Sequence, residues 1–137
     1  MSGASTRRRI LLVDDEVSLT RLLKLNLEQA GGFDVRTESN GRQALATAEA
    51  FQPDLIVLDI IMPDLGGLEI AQQFKAHPKL ARVPVIFLTA GASREETSAR
   101  QDLSSYPFLA KPINLQLLLE QIHAHLGLLP KPSPPPR

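Results

Sequence analysis

The sequence predicts an α/β protein with five strands in an open, doubly wound parallel sheet. Three observations lead there. Short apolar runs alternate with helical patterns five times along the chain, which is how a parallel sheet acquires helices on both faces. The runs at 55–58 and 84–88 are apolar throughout rather than alternating, as strands covered on both faces require. Five such units are too few to close a barrel, which takes about eight.

The elements follow in order. Ile10, Leu11, Leu12 and Val13 form the first strand. A helix over 16–29 comes next, with Leu19, Leu22, Leu23 and Leu27 assigned to one stripe, and Gly31-Gly32 ends it. The second strand, 33–37, is shorter in apolar residues and less buried. A short alanine-rich helix spans 41–50, and Pro53-Asp54 turns the chain into the third strand at 55–58. Pro63, Gly66 and Gly67 mark a loop at 62–67. The helix at 68–76 stops near His77-Pro78, because the residue before proline is pushed out of helical geometry. The fourth strand is 84–88. Ser93 and Glu96 make a capping box for a helix over 93–103. Phe108, Leu109 and Ala110 form the last strand. Asn114 caps a final helix carrying Leu115, Leu118, Leu119, Ile122 and Leu126 on one stripe, and Gly127 terminates it. A second, weaker stripe, Leu117, Gln121, Ala124 and Leu128, reads either as core edge or as a partner or dimer surface. His123 and His125 lie off the leucine stripe and read as solvated.

Length sets one domain for 137 residues, placed at 8–128 between a flexible 1–7 and a proline-rich tail at 129–137. The segment 130–137 holds five of the eleven prolines and is expected to be extended. Fifteen basic residues balance fifteen acidic ones, which argues against broad electrostatic binding to nucleic acid or to an anionic membrane. There is no cysteine, so disulfides, thiolate zinc sites, iron–sulfur clusters and cysteine nucleophiles are excluded. Aromatic residues are 4% of the chain, too few for a base-stacking platform. No apolar run approaches the ~20 residues that span a bilayer. After Arg7-Arg8-Arg9 the apolar run stops at four residues, short of a secretory signal. The chain therefore reads as soluble and cytoplasmic.

Sites in open α/β sheets lie beyond the carboxyl ends of the strands. Asp14 and Asp15 follow the first strand, Asp59 the third, Thr89 the fourth and Lys111 the fifth. The second strand ends in Thr37-Glu38-Ser39, which carries less information. In the order 2-1-3-4-5, one of the two common doubly wound orders and the flavodoxin-like one, the third strand is central. Three carboxylates, a hydroxyl and an ammonium then meet around Asp59. Clustered carboxylates raise one another's pKa unless a cation compensates. Lys111 supplies one charge. A hard divalent ion on oxygen ligands would supply the rest, Mg²⁺ with Mn²⁺ as a substitute. Such a centre suits a carboxylate nucleophile, Asp59, that accepts a phosphoryl group while Mg²⁺, Lys111 and Thr89 neutralise its oxygens.

Asp14-Asp15, Asp59, Thr89-Ala90 and Lys111-Pro112, with Met62-Pro63 and Gly67, resemble the receiver domain of bacterial two-component response regulators. Their spacings of 45, 30 and 22 residues are similar to those of chemotaxis-type single-domain receivers. Each dipeptide alone is a weak signal; in this order, each at a strand end, they are specific. The resemblance implies Asp59 as phosphoacceptor. It implies Asp15 as a direct Mg²⁺ ligand, Asp14 as a ligand partly through water, and the backbone carbonyl of Ile61 as another. It also implies a cis bond before Pro112 and a switch pair of Thr89 and Phe108. Phosphorylation would then reshape the face made by the fourth helix, fifth strand and fifth helix. The implied donors are a histidine kinase or phosphotransfer protein, and the implied output is an unidentified downstream protein. The chain is expected to act as a monomer or a phosphorylation-dependent homodimer, without an output domain or direct nucleic-acid contact of its own.

Two positions depart from the family pattern. Tyr106-Pro107 stands before the last strand where small residues are usual, and bulky Ile61 overlooks the attacking water. Three other readings fit these residues less well. An aspartate-nucleophile phosphatase of the haloacid dehalogenase kind wants an acid two residues after the nucleophile, and Ile61 stands there. A flavodoxin-like cofactor binder wants a Ser/Thr/Gly-rich loop where Asp14-Asp15 stand. A receiver-fold adaptor that binds partners without phosphate is the remaining alternative.

Overall fold

Successive apolar residues of each central strand face opposite sides of the sheet and sort the interior into two layers. Ile10 and Leu12, Leu55 and Val57, and Ile86 and Leu88 face one way; Leu11 and Val13, Ile56 and Leu58, and Val85 and Phe87 face the other. The computed structural model describes residues 7–91, 101 and 105–127. Its strands are β1 (Arg9–Val13), β2 (Asp34–Glu38), β3 (Leu55–Asp59), β4 (Val85–Thr89) and β5 (Phe108–Ala110). All pair in parallel, in the order β2-β1-β3-β4-β5. The expected fold class and strand order are thus observed. Every residue of β3 and β4 is buried, as full coverage by helices demands.

Among the described residues four helices cover the sheet: α1 (Val17–Gly31), α2 (Ala44–Phe51), α3 (Gly67–Ala76) and a last helix (Leu115–Leu126). Buried residues of α2 and α3, Ala44, Ala48, Phe51, Ile70, Ala71 and Phe74, fill one layer. Leu23 and Leu27 of α1, with Leu118 and Ile122 of the last helix, fill the other. The expected helix over 93–103, with its Ser93–Glu96 box, lies outside the described residues apart from Gln101, which is helical. Segments 1–6 and 128–137 also lie outside them.

Helix ends follow local chemistry. Gly32 and Gly127 take the left-handed conformation that stops α1 and the last helix. The Asn114 side chain accepts from the Leu117 amide at 3.1 Å, capping the last helix as expected. The short helix at 41–50 proves to be one 3₁₀ turn, Gly41–Gln43, leading into α2.

Two helix faces differ from the sequence reading. In α1 the buried set is Thr20, Leu23 and Leu27, while Leu22 is 55% exposed. At 100° per residue Leu22 falls well to the side of the line through Leu23 and Leu27, so it does not belong to the core stripe. In the last helix His123 is not simply solvated: it is half-buried, its ring 5.7 Å from that of Phe33. Leu117 and Ala124 of the weaker stripe are exposed.

Gly67 is where α3 meets the end of β3. Its amide donates to the Ile60 carbonyl at 2.8 Å. A Cβ there would lie 2.8 Å from the Asp59 carbonyl oxygen and 2.8 Å from the Ile60 Cα. Both are backbone atoms and neither can swing aside. Gly67→Ala is expected to cost about 1–3 kcal/mol by overpacking, more than alanine's helix preference returns. Gly91→Ala, with open space around its Cβ, is expected to stay within about 0.5 kcal/mol. Urea denaturation of both variants checks the pair; equal stabilities would refute the close-approach argument.

Candidate functional site

The register builds the site. Val13 of β1 pairs with Leu58 of β3, and Asp59 pairs with Leu88 of β4. One residue beyond these rungs stand Asp14 and Thr89, on either side of Asp59. Asp14, Asp59 and Thr89 are all buried. Asp15 is exposed. Each of Asp14, Asp15 and Asp59 offers a carboxylate oxygen, and those three atoms lie within 4.8 Å of one another. β5 delivers Lys111 to the same edge: its amide donates to the Thr89 carbonyl at 2.7 Å. The Lys111–Pro112 peptide bond is cis.

The Lys111 ammonium reaches back across β4. Its Nζ lies 2.9 Å from Asp14 Oδ2 and 3.6 Å from Asp59 Oδ2. It also lies 2.8 Å from Oε1 of Glu16, a residue that the sequence reading did not assign to the site. The signal available was its place two residues after Asp14 in an acidic Asp14-Asp15-Glu16 run. The missing information was the direction of its side chain. Asp14 is held from both ends: its amide donates to the Glu38 carbonyl at 3.1 Å, and its Oδ1 accepts from the Glu16 amide at 2.9 Å. Glu38 itself turns toward the rim, where Oε2 accepts from the Asn40 amide. The second strand thus contributes backbone support rather than a site side chain.

Electrostatics follow from this crowding. Burial and the neighbouring Asp14 charge push the Asp59 carboxyl up to about 7, although Lys111 and the Ile61 amide pull the other way. That amide donates to Asp59 Oδ1 at 3.4 Å. Burial disfavours the Lys111 ammonium, yet its hydrogen bond to Glu16 and the Asp14 and Asp59 charges beside it outweigh this and raise its pKa. The cluster holds more negative charge than one ammonium balances. Asp14 Oδ2 is buried without a hydrogen-bond partner and meets Lys111 only as an ion pair. A buried carboxylate oxygen of that kind, beside two more within 4.8 Å, suits a hard divalent cation such as Mg²⁺. Ile61, 36% exposed, stands at the rim.

At the far side of the site Phe108 stacks on Phe87, ring centroids 5.5 Å apart. Tyr106 meets the same Phe87 ring edge-on at 5.2 Å, and Lys75 of α3 lies 5.2 Å above Tyr106. Phe108 is therefore half-buried in an aromatic group rather than free in solvent. Tyr106 covers the core edge there. Pro107 contributes a carbonyl that accepts from the Phe87 amide at 2.9 Å, which fixes the approach to β5.

The profile of a family described as "Response regulator receiver domain" matches residues 10–123. The alkaline phosphatase synthesis transcriptional regulatory protein PhoP of Bacillus subtilis is 38% identical over 107 residues, 78% of this chain and 43% of that protein. The polar-differentiation response regulator DivK of Brucella anthropi is 30% identical over 120 residues, 88% of this chain and 97% of that protein. Among solved structures, the receiver domain of a sensor histidine kinase from Pseudomonas aeruginosa superposes with a TM-score of 0.80. It is 28% identical, with 89% of this chain and 99% of that one covered, and it holds a magnesium ion in its active-site cleft. The chain spans less than half the length of PhoP and of a similar Synechocystis regulator, RpaA.

Proposed function

This chain belongs to the response regulator receiver domain family, and from that premise we propose that it is a signalling switch phosphorylated on Asp59 by a histidine kinase or a phosphotransfer protein. The observation that carries the reading is the buried Asp59 carboxylate between Asp14 and the Lys111 ammonium. A carboxylate oxygen of Asp59 attacks phosphorus in line. The bond from phosphorus to the donor's imidazole nitrogen breaks, and its electron pair leaves with the imidazole. The product is an acyl phosphate on Asp59.

The chain's own residues prepare this step. Asp14, Asp15 and Asp59, with the Ile61 carbonyl, would hold Mg²⁺. When bound, that ion supplies positive charge that favours the ionised carboxylate and offsets charge on a phosphoryl oxygen. Lys111 takes a second oxygen and the Thr89 hydroxyl a third. Lys111 thereby exchanges carboxylate partners for phosphoryl oxygen, and Thr89 is drawn toward the phosphate. Phe108, seated on Phe87 one strand away, turns inward as Thr89 moves. Contacts that differ between the two arrangements are what shift the population. The altered face comprises the segment over 93–103 that the sequence predicts as a helix, β5 and the last helix, and a downstream protein reads it. We place this activity in residues 8–128 and in the cytoplasm. No described helix is long and apolar enough to cross a membrane.

Intact mass after incubation with acetyl phosphate and Mg²⁺ tests the proposal. One added phosphoryl group is expected, lost when metal is chelated and lost in Asp59→Ala. A wild-type chain that takes up none would favour the phosphate-independent adaptor.

A further inference from the structure

Three acids surround the Lys111 ammonium, and one of them differs in kind. The Asp14 and Asp59 side chains are 2% and 6% exposed, fixed at the ends of adjacent strands. Glu16 is 56% exposed and reaches in from solvent, yet its contact with Lys111 is the shortest, 2.8 Å. Its position adds a second observation. Glu16 is the N-cap residue of α1 but makes no side-chain cap bond. Helix stability there favours Asp, Asn, Ser or Thr, whose short side chains fold back onto the first-turn amides. Glutamate is too long to cap well. Here it spans the site to a residue 95 positions away.

We infer that Glu16 is a latch, an intramolecular anion that holds the Lys111 ammonium in the unphosphorylated chain and must let go before a phosphoryl group can bind there. The inference rests on the function proposed above. Lys111 carries three donor hydrogens, and an oxygen of the incoming group needs one of them. Asp14 and Asp59 lie in the site's buried floor, whereas Glu16 occupies the approach. Glu16 is then a positioning residue: it acts on phosphoryl uptake through Lys111. A half-exposed pair is a weak hold, so the latch tunes uptake and does not block it.

The test compares wild type with Glu16→Gln and Glu16→Asp. Two quantities are read in saturating Mg²⁺: the initial rate of phosphoryl gain from acetyl phosphate, by intact mass, and the beryllofluoride concentration at half-saturation, by fluorine NMR. Glutamine keeps the length and removes the charge. Aspartate keeps the charge and loses one carbon–carbon bond, about 1.5 Å of reach. A latch requires both variants to gain, with uptake about two- to fivefold faster and half-saturation correspondingly lower. A gain in Glu16→Gln alone would mean through-space repulsion of the anionic donor and would overturn the latch. No gain in either variant would overturn it too. A mere capping role would shift the melting temperature and leave half-saturation in place, again against the latch. If all three chains take up phosphate at one rate, the latch falls and the function stands. If none takes up any, both fall.

Discussion

Asp59→Asn is expected to stabilise the metal-free protein at pH 8 by an amount on the order of 2–4 kcal/mol, an advantage that fades as the pH falls from about 7 to about 4. Few single substitutions stabilise a protein so much. The cause is the Asp59 carboxyl, pushed from 3.8 to about 7 chiefly by burial and then by Asp14. Between those two values the folded chain holds a proton on Asp59 that the unfolded chain has released. The native state then binds more protons, so unfolding becomes easier as the pH rises through this window. Above about 7 both states are ionised, and the full penalty of a buried carboxylate beside Asp14 is in place. Below about 4 both are neutral, and aspartic acid and asparagine become nearly equivalent. Urea denaturation of both chains in chelator, at steps between pH 4 and pH 8.5, gives the difference curve. A flat difference would mean that Asp59 titrates normally, and the crowding argument would fail. Saturating Mg²⁺ at pH 8 should narrow the gap, because a cation held by Asp14, Asp15 and Asp59 stabilises only the chain that keeps the third carboxylate.

Lys111→Met carries the opposite sign. Lys111 is the cation within 3.6 Å of both Asp14 and Asp59, and its own side chain is 14% exposed. Methionine fills a similar volume without charge, so the loss reads electrostatics more than packing. Breaking a buried pair by removing one partner costs about 3–5 kcal/mol. Protonation of Asp59 relieves part of this, so about 2–4 kcal/mol is expected at pH 8 and less at pH 5. In the Asp59→Asn background the same substitution should cost measurably less, and the difference is the coupling between the two side chains. Phosphoryl uptake from acetyl phosphate should fall by about 10²-fold, the scale for loss of one preorganised donor. Equal stabilities of Lys111→Met and wild type at pH 8 would show that solvent, and not Lys111, balances the acids.

These two substitutions mark how far the residues themselves announce the site. Asp14, Asp59, Thr89 and Lys111 each stand just past an apolar run. A parallel sheet gathers such positions at one edge whatever the loops between them do. Apolar continuity of β3 and β4, alanine in the short helix, Asn114 before the last helix and Gly32 and Gly127 after helices are local signals, and the structure follows them. The sequence by itself thus determined the fold class, the strand order through its family pattern, and the set of carboxylates at the centre.

Only the tertiary structure decided the rest, because it depends on the packing of whole elements against one another. Thr20 rather than Leu22 faces the core because the sheet, not hydrophobicity, sets the rotation of α1. His123 is half-buried because Phe33, far away in the chain, enters beside the last helix. Asp59 is pushed to about 7 because the fold buries it away from water and then sets the Asp14 charge beside it. Glu16 meets Lys111 across 95 residues because a long side chain at the start of α1 points over the sheet edge instead of capping its helix. Spacing along a chain encodes periodicity, and periodicity specifies elements. Side-chain reach across a sheet is a distance in space, fixed only once the strands are in register.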